Sequence, residues 1–234
     1  QALAQLRHPN IVRLHKYGVA DNVPYMVMEY VAGGRTLREE IQSRVRDGRP
    51  LSMQEANRIL HQLLDGLEAA HRKGLLHLDI KPENLLYKDT EPGAPLKLID
   101  FGVSKRATDS ADHTAETGSY RWMAPEVIRH ERYDKSCDIY SLAMLFYEML
   151  TFSLPFPSLS PVQAALSVAT QANRPPLPPL PIAIERLIQK CWDQRSENRP
   201  TIENVIESLR NVESMNLSFS ALEMSQKLVR STSD

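Results

Sequence analysis

The sequence is poor in cysteine and has no long hydrophobic run. Its two cysteines, Cys137 and Cys191, stand far apart, and neither has a CxxC or Cys/His neighbour at the spacing of a metal site. Both fall in segments predicted as helices, so we expect reduced, buried thiols. The most apolar segment, residues 142–150, is interrupted by Glu148. It is far shorter than the roughly 20 residues that cross a bilayer, so no membrane insertion is predicted.

The sequence also lacks an excess of either charge. Its formal net charge is -1 and its isoelectric point about 6.7, which gives no global field to attract nucleic acid or an anionic membrane. No basic segment followed by an apolar run opens the chain, so no secretory signal is predicted. These absences favour a cytoplasmic protein that binds no nucleic acid and recognises its partners locally. The sequence does not indicate which oligomeric state the protein has.

The first thirty residues differ from the rest of the chain. They predict a short helix at residues 2–6 and two strands, 11–17 and 25–30, joined by a turn at Ala20-Asp21-Asn22. Gly33-Gly34 then interrupts the pattern, and most of the remaining chain has helical periodicity. The order of elements therefore predicts an α+β fold, with a small β-containing part ahead of a mainly helical one.

Helix signals dominate the larger part. Ser52 and Glu55 form a capping box before an apolar stripe that ends at Lys73-Gly74. Residues 139–150 are apolar on nearly every side, which predicts a helix buried on all faces. Further helices are predicted over residues 36–45, from Ser160-Pro161, over 182–192 and over 201–212. Residues 103–117 are polar and aperiodic and predict a mobile loop.

One short segment carries most of the chemistry. Residues 77–84 read His-Leu-Asp-Ile-Lys-Pro-Glu-Asn, and Asp100-Phe101-Gly102 begins sixteen residues after Asn84. Two short strands, 85–87 and 96–99, separate these segments and predict a hairpin that holds Asn84 and Asp100 at its open end. Both side chains could then reach one bound ion.

Phosphoryl transfer is the reaction that these residue types suit. It needs an acid to orient the attacking hydroxyl, a cation on the moving phosphate and oxygen-rich side chains for Mg²⁺, because positioning and charge neutralisation supply most of the catalysis. Asp79, Lys81, Asn84 and Asp100 are groups of these kinds. Each alone could be an ordinary capping or solvated residue.

Five segments together resemble the eukaryotic protein kinases. HLDIKPENLL, DFG, RWMAPE at residues 121–126, DIYSLA from Asp138 and Arg199-Pro200 occur in the order of that family. The resemblance covers nearly the whole chain and is closest to the tyrosine-kinase-like group of serine/threonine kinases. It implies a bilobal fold: residues 1–30 would be a remnant of the small lobe (the end of helix C and two strands), 31–35 the hinge, 36–213 the large lobe and 214–234 a flexible tail.

The resemblance also implies ATP and Mg²⁺ as cofactors and a protein as substrate. Asp79 would be the catalytic acid that orients and finally accepts the hydroxyl proton, Lys81 would contact the transferred phosphate, and Asn84 and Asp100 would hold Mg²⁺. Four residues would surround the adenine: Met28 as gatekeeper, Glu29 and Val31 through their backbones, and Leu86 in the floor.

Other positions would have structural roles by the same resemblance. Ser119 would hydrogen-bond toward Asp79 and Lys81, which favours serine or threonine as acceptor, and Glu126 and Arg199 would form a buried ion pair. The remaining set is a packed spine with its anchor and the glycine of the DFG triplet: Leu3, Leu14, His77, Phe101, Gly102 and Asp138.

Two departures from the family matter. Its glycine-rich loop, ATP-contacting lysine and paired glutamate would precede Gln1, so little or no kinase activity is expected of these 234 residues alone. Leu78 stands where many kinases have an arginine that grips a phosphate, so activity should not depend strictly on phosphorylation at positions 108, 110, 114 or 117.

The sequence leaves several alternatives open. A pseudokinase that binds partners without catalysis is the main rival, and a small-molecule phosphotransferase of the aminoglycoside type a more distant one. Trp122, an aromatic before the MAPE string, also occurs in tyrosine kinases and leaves dual specificity open. Residues 174–181 contain PxxP registers that either bind SH3 or WW domains or form a stiff connector.

Overall fold

The computed structural model describes residues 5–89, 91, 93–101 and 117–214. Its strands are β1 (Leu14–Ala20), β2 (Val23–Met28), β3 (Leu85–Tyr87) and β4 (Leu96–Leu98), and its helices are α1 (Leu37–Asp47), α2 (Met53–His71), α3 (Pro125–Ile128), α4 (Ser136–Thr151), α5 (Pro161–Gln171), α6 (Ile182–Cys191) and α7 (Ile202–Ser214). The expected helix at residues 2–6 falls mostly outside this range. The expected loop up to residue 116, Leu3, Gly102 and the tail beyond residue 214 lie outside it as well.

β1 and β2 form an antiparallel hairpin around Asp21 and Asn22. Both turn residues have positive φ (50° and 63°), as a two-residue hairpin turn of the primed type requires. The predicted strand limits, 11–17 and 25–30, were wrong. Because the turn has only two residues, strand pairing continues to Ala20 and Val23. Ile11, predicted at the start of the first strand, instead bridges to Leu98 of β4.

The predicted helix caps are present. Thr36 and Glu39 form a capping box at the start of α1, and Ser52 and Glu55 form one at the start of α2. Gly48 ends α1 with φ of 62°, a left-handed conformation that glycine adopts without strain. α1 runs two residues past its predicted end.

α4 forms the centre of the large lobe. All its side chains from Cys137 to Leu150 are buried, as its apolar sequence predicted. α2 and α6 pack against it, and α7 packs on both of these helices. Cys137 and Cys191 are free and buried, which confirms the expectation for the two thiols. Within the described residues, no helix is both long and apolar enough to span a membrane.

The proline-rich segment 174–181 packs against the large lobe. Pro175 and Pro178 are buried, and Leu177 and Leu180 pack against the core. The Arg174 guanidinium donates to the backbone carbonyl of Trp192 at 2.8 Å. The Pro175–Pro178 register is therefore packed against the core, whereas Pro176 and Pro179 are exposed. The segment connects α5 and α6.

Candidate active site

The loop between α2 and β3 is bonded through its backbone to one buried carboxylate, that of Asp138. Asp138, at the start of α4, is fully buried and accepts backbone N–H groups of His77 and Leu78, both at 2.9 Å. Leu78 has φ of 68°, a conformation that costs a non-glycine residue energy and persists only where its surroundings impose it. His71 of α2, which the sequence reasoning missed, lies 2.7 Å from the same carboxylate through Nε2. Asp138 therefore fixes the strained backbone just before Asp79.

Three polar side chains converge on Asp79. Asn84 Nδ2 donates to the Asp79 backbone carbonyl at 2.7 Å and to Oδ2 at 2.8 Å. Lys81 Nζ lies 2.8 Å from Asp79 Oδ2 and donates to Ser119 Oγ at 2.8 Å. Thus three neighbours on one loop meet a serine thirty-eight residues further on.

These contacts set the charge of Asp79. Burial pushes the pKa of its carboxyl up, but hydrogen bonds with Lys81, Ser119 and Asn84 and the Lys81 charge outweigh burial, and the pKa lies below its usual value. Asp79 is therefore a carboxylate at neutral pH and can accept a hydrogen bond from a hydroxyl.

His77 connects Asp79 with the strand that leads to Asp100. Its Nε2 donates to the Ile99 carbonyl at 2.8 Å, and its Nδ1 accepts the Asp79 backbone N–H at 3.2 Å. Burial lowers the pKa of His77, although both Asp79 and Asp100 act on it in the opposite direction, so the ring is neutral. Its edge packs on Phe101 with ring centroids 4.6 Å apart.

The β3–β4 hairpin brings Asn84 and Asp100 to one end, as predicted. The Ile99 N–H donates to the Asn84 carbonyl at 2.9 Å, and Asp100 comes next with φ of 61° and an exposed side chain. An amide oxygen and a carboxylate suit Mg²⁺, which proteins commonly hold through one or two such ligands together with phosphate oxygens. Among the described residues, no three His, Cys, Asp or Glu side chains are grouped to hold a metal by themselves.

The four expected adenine contacts lie at the junction of β2 with the large lobe. Met28 ends β2, and the Glu29 side chain pairs with Lys97 of β4 at 2.9 Å. Val31 is buried, and its carbonyl accepts the Gly34 N–H at 3.1 Å. Thr36 bridges to Leu86 of β3. The segment after Met28 is therefore bonded to the hairpin that carries Asn84.

A buried ion pair ties the end of the segment after Ser119 to the large lobe. Arg199 donates to both carboxylate oxygens of Glu126, at 2.6 and 2.8 Å, and also to the backbone carbonyls of Ser136 and Asp193. The expected Glu126–Arg199 pair is present, and all three guanidinium nitrogens of Arg199 donate a hydrogen bond.

The sequence reasoning missed a second charged network beside the loop. Arg38 of α1 donates to Glu83 Oε1 at 2.7 Å and pairs with Glu148 of α4. Glu148 also accepts the Trp122 indole N–H at 3.1 Å. Glu148, an acid inside the apolar segment 142–150, was the only sequence signal for this network.

Comparison with known proteins agrees with this geometry. Residues 1–209 match the protein kinase domain family. The chain is 35% identical over 205 residues to serine/threonine/tyrosine-protein kinase HT1 of Arabidopsis thaliana, covering 87% of this chain and 51% of that protein. It is 40% identical over 148 residues to serine/threonine-protein kinase STY17 of the same plant (63% and 25%), and 37% identical over 156 residues to human ribosomal protein S6 kinase alpha-4 (65% and 20%).

The chain spans about half the length of HT1 and a quarter or less of the other two. Kinases of this kind use ATP as co-substrate, typically with Mg²⁺, and act on proteins. From its matched residues and the arrangement around Asp79, the chain belongs to the protein kinase domain family.

Proposed function

We propose that this chain is the larger part of the catalytic domain of an ATP-dependent protein serine/threonine kinase. The observation that carries the proposal is the convergence of Lys81 and Asn84 on the ionised Asp79 carboxylate, with Ser119 beside them. A binding module needs no such arrangement of a desolvated acid and a cation, which argues against a pseudokinase.

In the proposed reaction, Asp79 orients the acceptor hydroxyl and finally takes its proton. Lys81 contacts the transferred phosphoryl group and offsets its negative charge. Asn84 and Asp100 would hold Mg²⁺, which supplies further charge neutralisation on the phosphates when bound. The neutral His77 ring bonds to both the Ile99 carbonyl and the Asp79 N–H, and so holds the backbone before Asp100 close to that of Asp79.

The adenine would lie against the segment immediately after β2. The Glu29 N–H and the Val31 carbonyl are already bonded to Arg13 and Gly34, so the Glu29 carbonyl and the Val31 N–H are the groups left to meet its edge. Met28 and Leu86 would bound the ring. We place the hinge at residues 31–35, between the β1–β2 part and the large lobe.

The contact between Lys81 and Ser119 supports serine or threonine as acceptor. Trp122 is buried and bonded to Glu148, so core packing accounts for this aromatic without a tyrosine substrate. Arg35 lies at the end of the hinge, where a kinase that prefers basic substrates would carry an acid, and it pairs with Glu40 at 2.8 Å. We therefore expect no strong preference for arginine before the phosphorylated residue.

The test is phosphate transfer by the full-length protein from labelled ATP to a generic acceptor protein, with phosphoamino-acid analysis of the product. Asp79→Asn should lower kcat by about 10² to 10⁴, the usual contribution of an acid–base group, without changing the unfolding temperature. Asp65→Asn, an exposed acid of α2, is the matched control. Nucleotide binding without transfer in the unmodified protein would favour the pseudokinase, and phosphotyrosine as the main product would refute the acceptor assignment.

A further inference from the structure

An arginine-rich cavity of about 260 Å³ lies on the far side of α1 from Arg38. Its walls come from α1, the start of α2 and the β3–β4 hairpin. The charged side chains in its lining are four arginines and three acids, so one positive charge is in excess: Arg35, Arg44, Arg49, Arg58, Glu40, Asp47 and Glu55. None of them belongs to the cluster around Asp79.

The three acids are already engaged. Glu40 pairs with Arg35 at 2.8 Å and with Arg44 at 2.6 Å. Glu55 pairs with Arg44 at 2.8 Å and caps α2, and Asp47 pairs with Arg49 at 2.8 Å. Each carboxylate in the cavity lining therefore already pairs with Arg35, Arg44 or Arg49, and none pairs with Arg58.

Three hydrogen-bond donors in the cavity have no acceptor within the described part of the chain. The Arg58 side chain is exposed and its guanidinium makes no ion pair or hydrogen bond there, whereas Arg35 Nε is buried without a partner. The Tyr87 hydroxyl has no partner among these residues either. Burial raises its pKa to about 12, although the Arg35, Arg44 and Arg58 charges oppose the shift, so the hydroxyl keeps its proton.

The three donors line the same cavity. The Arg35 guanidinium lies 5.1 Å from the centre of the Tyr87 ring, and the Arg58 charge acts on the same hydroxyl. Gly93 lets Arg58 lie across the β3–β4 turn, because a Cβ there would stand 2.6 Å from Arg58 Nη1. The missing side chain at Gly93 thus leaves room for the Arg58 guanidinium, which lines the cavity.

We propose that this cavity binds a phosphoryl group, presented by a phosphorylated side chain of a partner polypeptide. A tetrahedral phosphate offers oxygens in several directions and suits donors on three different side chains, and arginine pairs with it bidentately. The volume exceeds what a bare phosphate needs and leaves room for the side chain that carries it. Free inorganic phosphate has the same chemistry and is the other source of the ligand.

The test measures binding to the full chain by calorimetry and by chemical shifts, with acetyl-Ala-phosphoSer-Ala-amide, its unphosphorylated form and inorganic phosphate as probes. The phosphopeptide should bind and the unphosphorylated peptide should not. Arg58→Glu should weaken binding at least tenfold, and Arg58→Lys should weaken it less. Arg186→Glu makes the same charge change on exposed α6, away from the cavity, and should leave binding unchanged.

Three results would overturn the proposal. One is equal weakening by Arg58→Glu and Arg186→Glu, which would mean attraction to the net charge alone. The second is no binding of the phosphopeptide at millimolar concentration. The third is binding of phosphate that does not depend on Arg58, which would mean an adventitious ion only. If inorganic phosphate binds as tightly as the phosphopeptide and depends on Arg58, the site is supported and its ligand is the free anion. None of these readouts uses kinase activity, so they stand apart from the test of the proposed function.

Discussion

Asn84 holds Asp79 through a single nitrogen, which donates to both the backbone carbonyl and the carboxylate of that residue, at 2.7 and 2.8 Å. Because the amide nitrogen is spent in this way, the amide oxygen is the group of Asn84 that can face a cation. One side chain therefore orients the acid and leaves an oxygen for the proposed Mg²⁺, two roles that the sequence predicted separately.

Asn84→Ala should reduce both functions. Loss of hydrogen bonds to a charged group costs about 1.5 to 3 kcal/mol, which corresponds to a roughly 10- to 100-fold lower kcat, and the Mg²⁺ concentration for half-maximal activity should rise. The measurement is a Mg²⁺ titration of the full-length protein. Asn204→Ala, on the exposed face of α7, is the control. An unchanged Mg²⁺ requirement would remove Asn84 from the metal site.

Breaking the Glu126–Arg199 pair should be strongly destabilising. Arg199→Met leaves a buried carboxylate without its partner, a change that costs about 3 to 5 kcal/mol. Urea unfolding of the two proteins gives the difference. Arg129→Met removes a similar arginine from an exposed pair with Glu131 and should cost far less. Equal losses for both variants would show that burial of the first pair does not matter.

Glu148 should make the protein less stable as pH rises from about 4.5 to above 6. Burial raises the pKa of its carboxyl to about 6, although Arg38 opposes the shift, while in the unfolded chain the pKa is near 4.5. The folded state then binds more protons between these values, so stability falls with increasing pH, by about 2 kcal/mol in total.

Glu148→Gln removes this titration and supplies the comparison. The free energy of unfolding of the two proteins is measured by urea from pH 4 to 7.5. The unmodified protein should lose stability relative to the variant across the window, since all other titrating groups are common to both. A difference independent of pH would show that folding does not shift the pKa of Glu148.

The two thiols should react only after unfolding. Both are buried, and burial raises the pKa of Cys191 to about 12 and that of Cys137 well above its usual value, which suppresses the nucleophilic thiolate. Labelling with iodoacetamide at pH 8 should be slow in buffer and rapid in denaturant. Fast labelling of either cysteine under native conditions would contradict the described packing.

Local signals predicted the elements with caps. The box at Ser52 and Glu55 lies where helix α2 begins, and Ser160 caps α5 as its proline-containing start indicated. Such signals work because the hydrogen bonds that end a helix join residues three or four apart. The predicted strand limits within residues 11–30 were wrong, since Ile11 forms a bridge with Leu98, a partner that no local pattern indicates.

The sequence by itself determined the family, the order of elements and the residue types at the site, because the spacing within residues 77–84 and the DFG triplet is typical of the protein kinase family. Only the tertiary structure decided which charges meet. Arg38, Glu83 and Glu148 come from three distant segments, and the donors at Arg35, Arg58 and Tyr87 come from three others. The position of a charged residue in the sequence does not indicate its partner. Which charged side chains meet depends on how the apolar faces of the helices and strands pack.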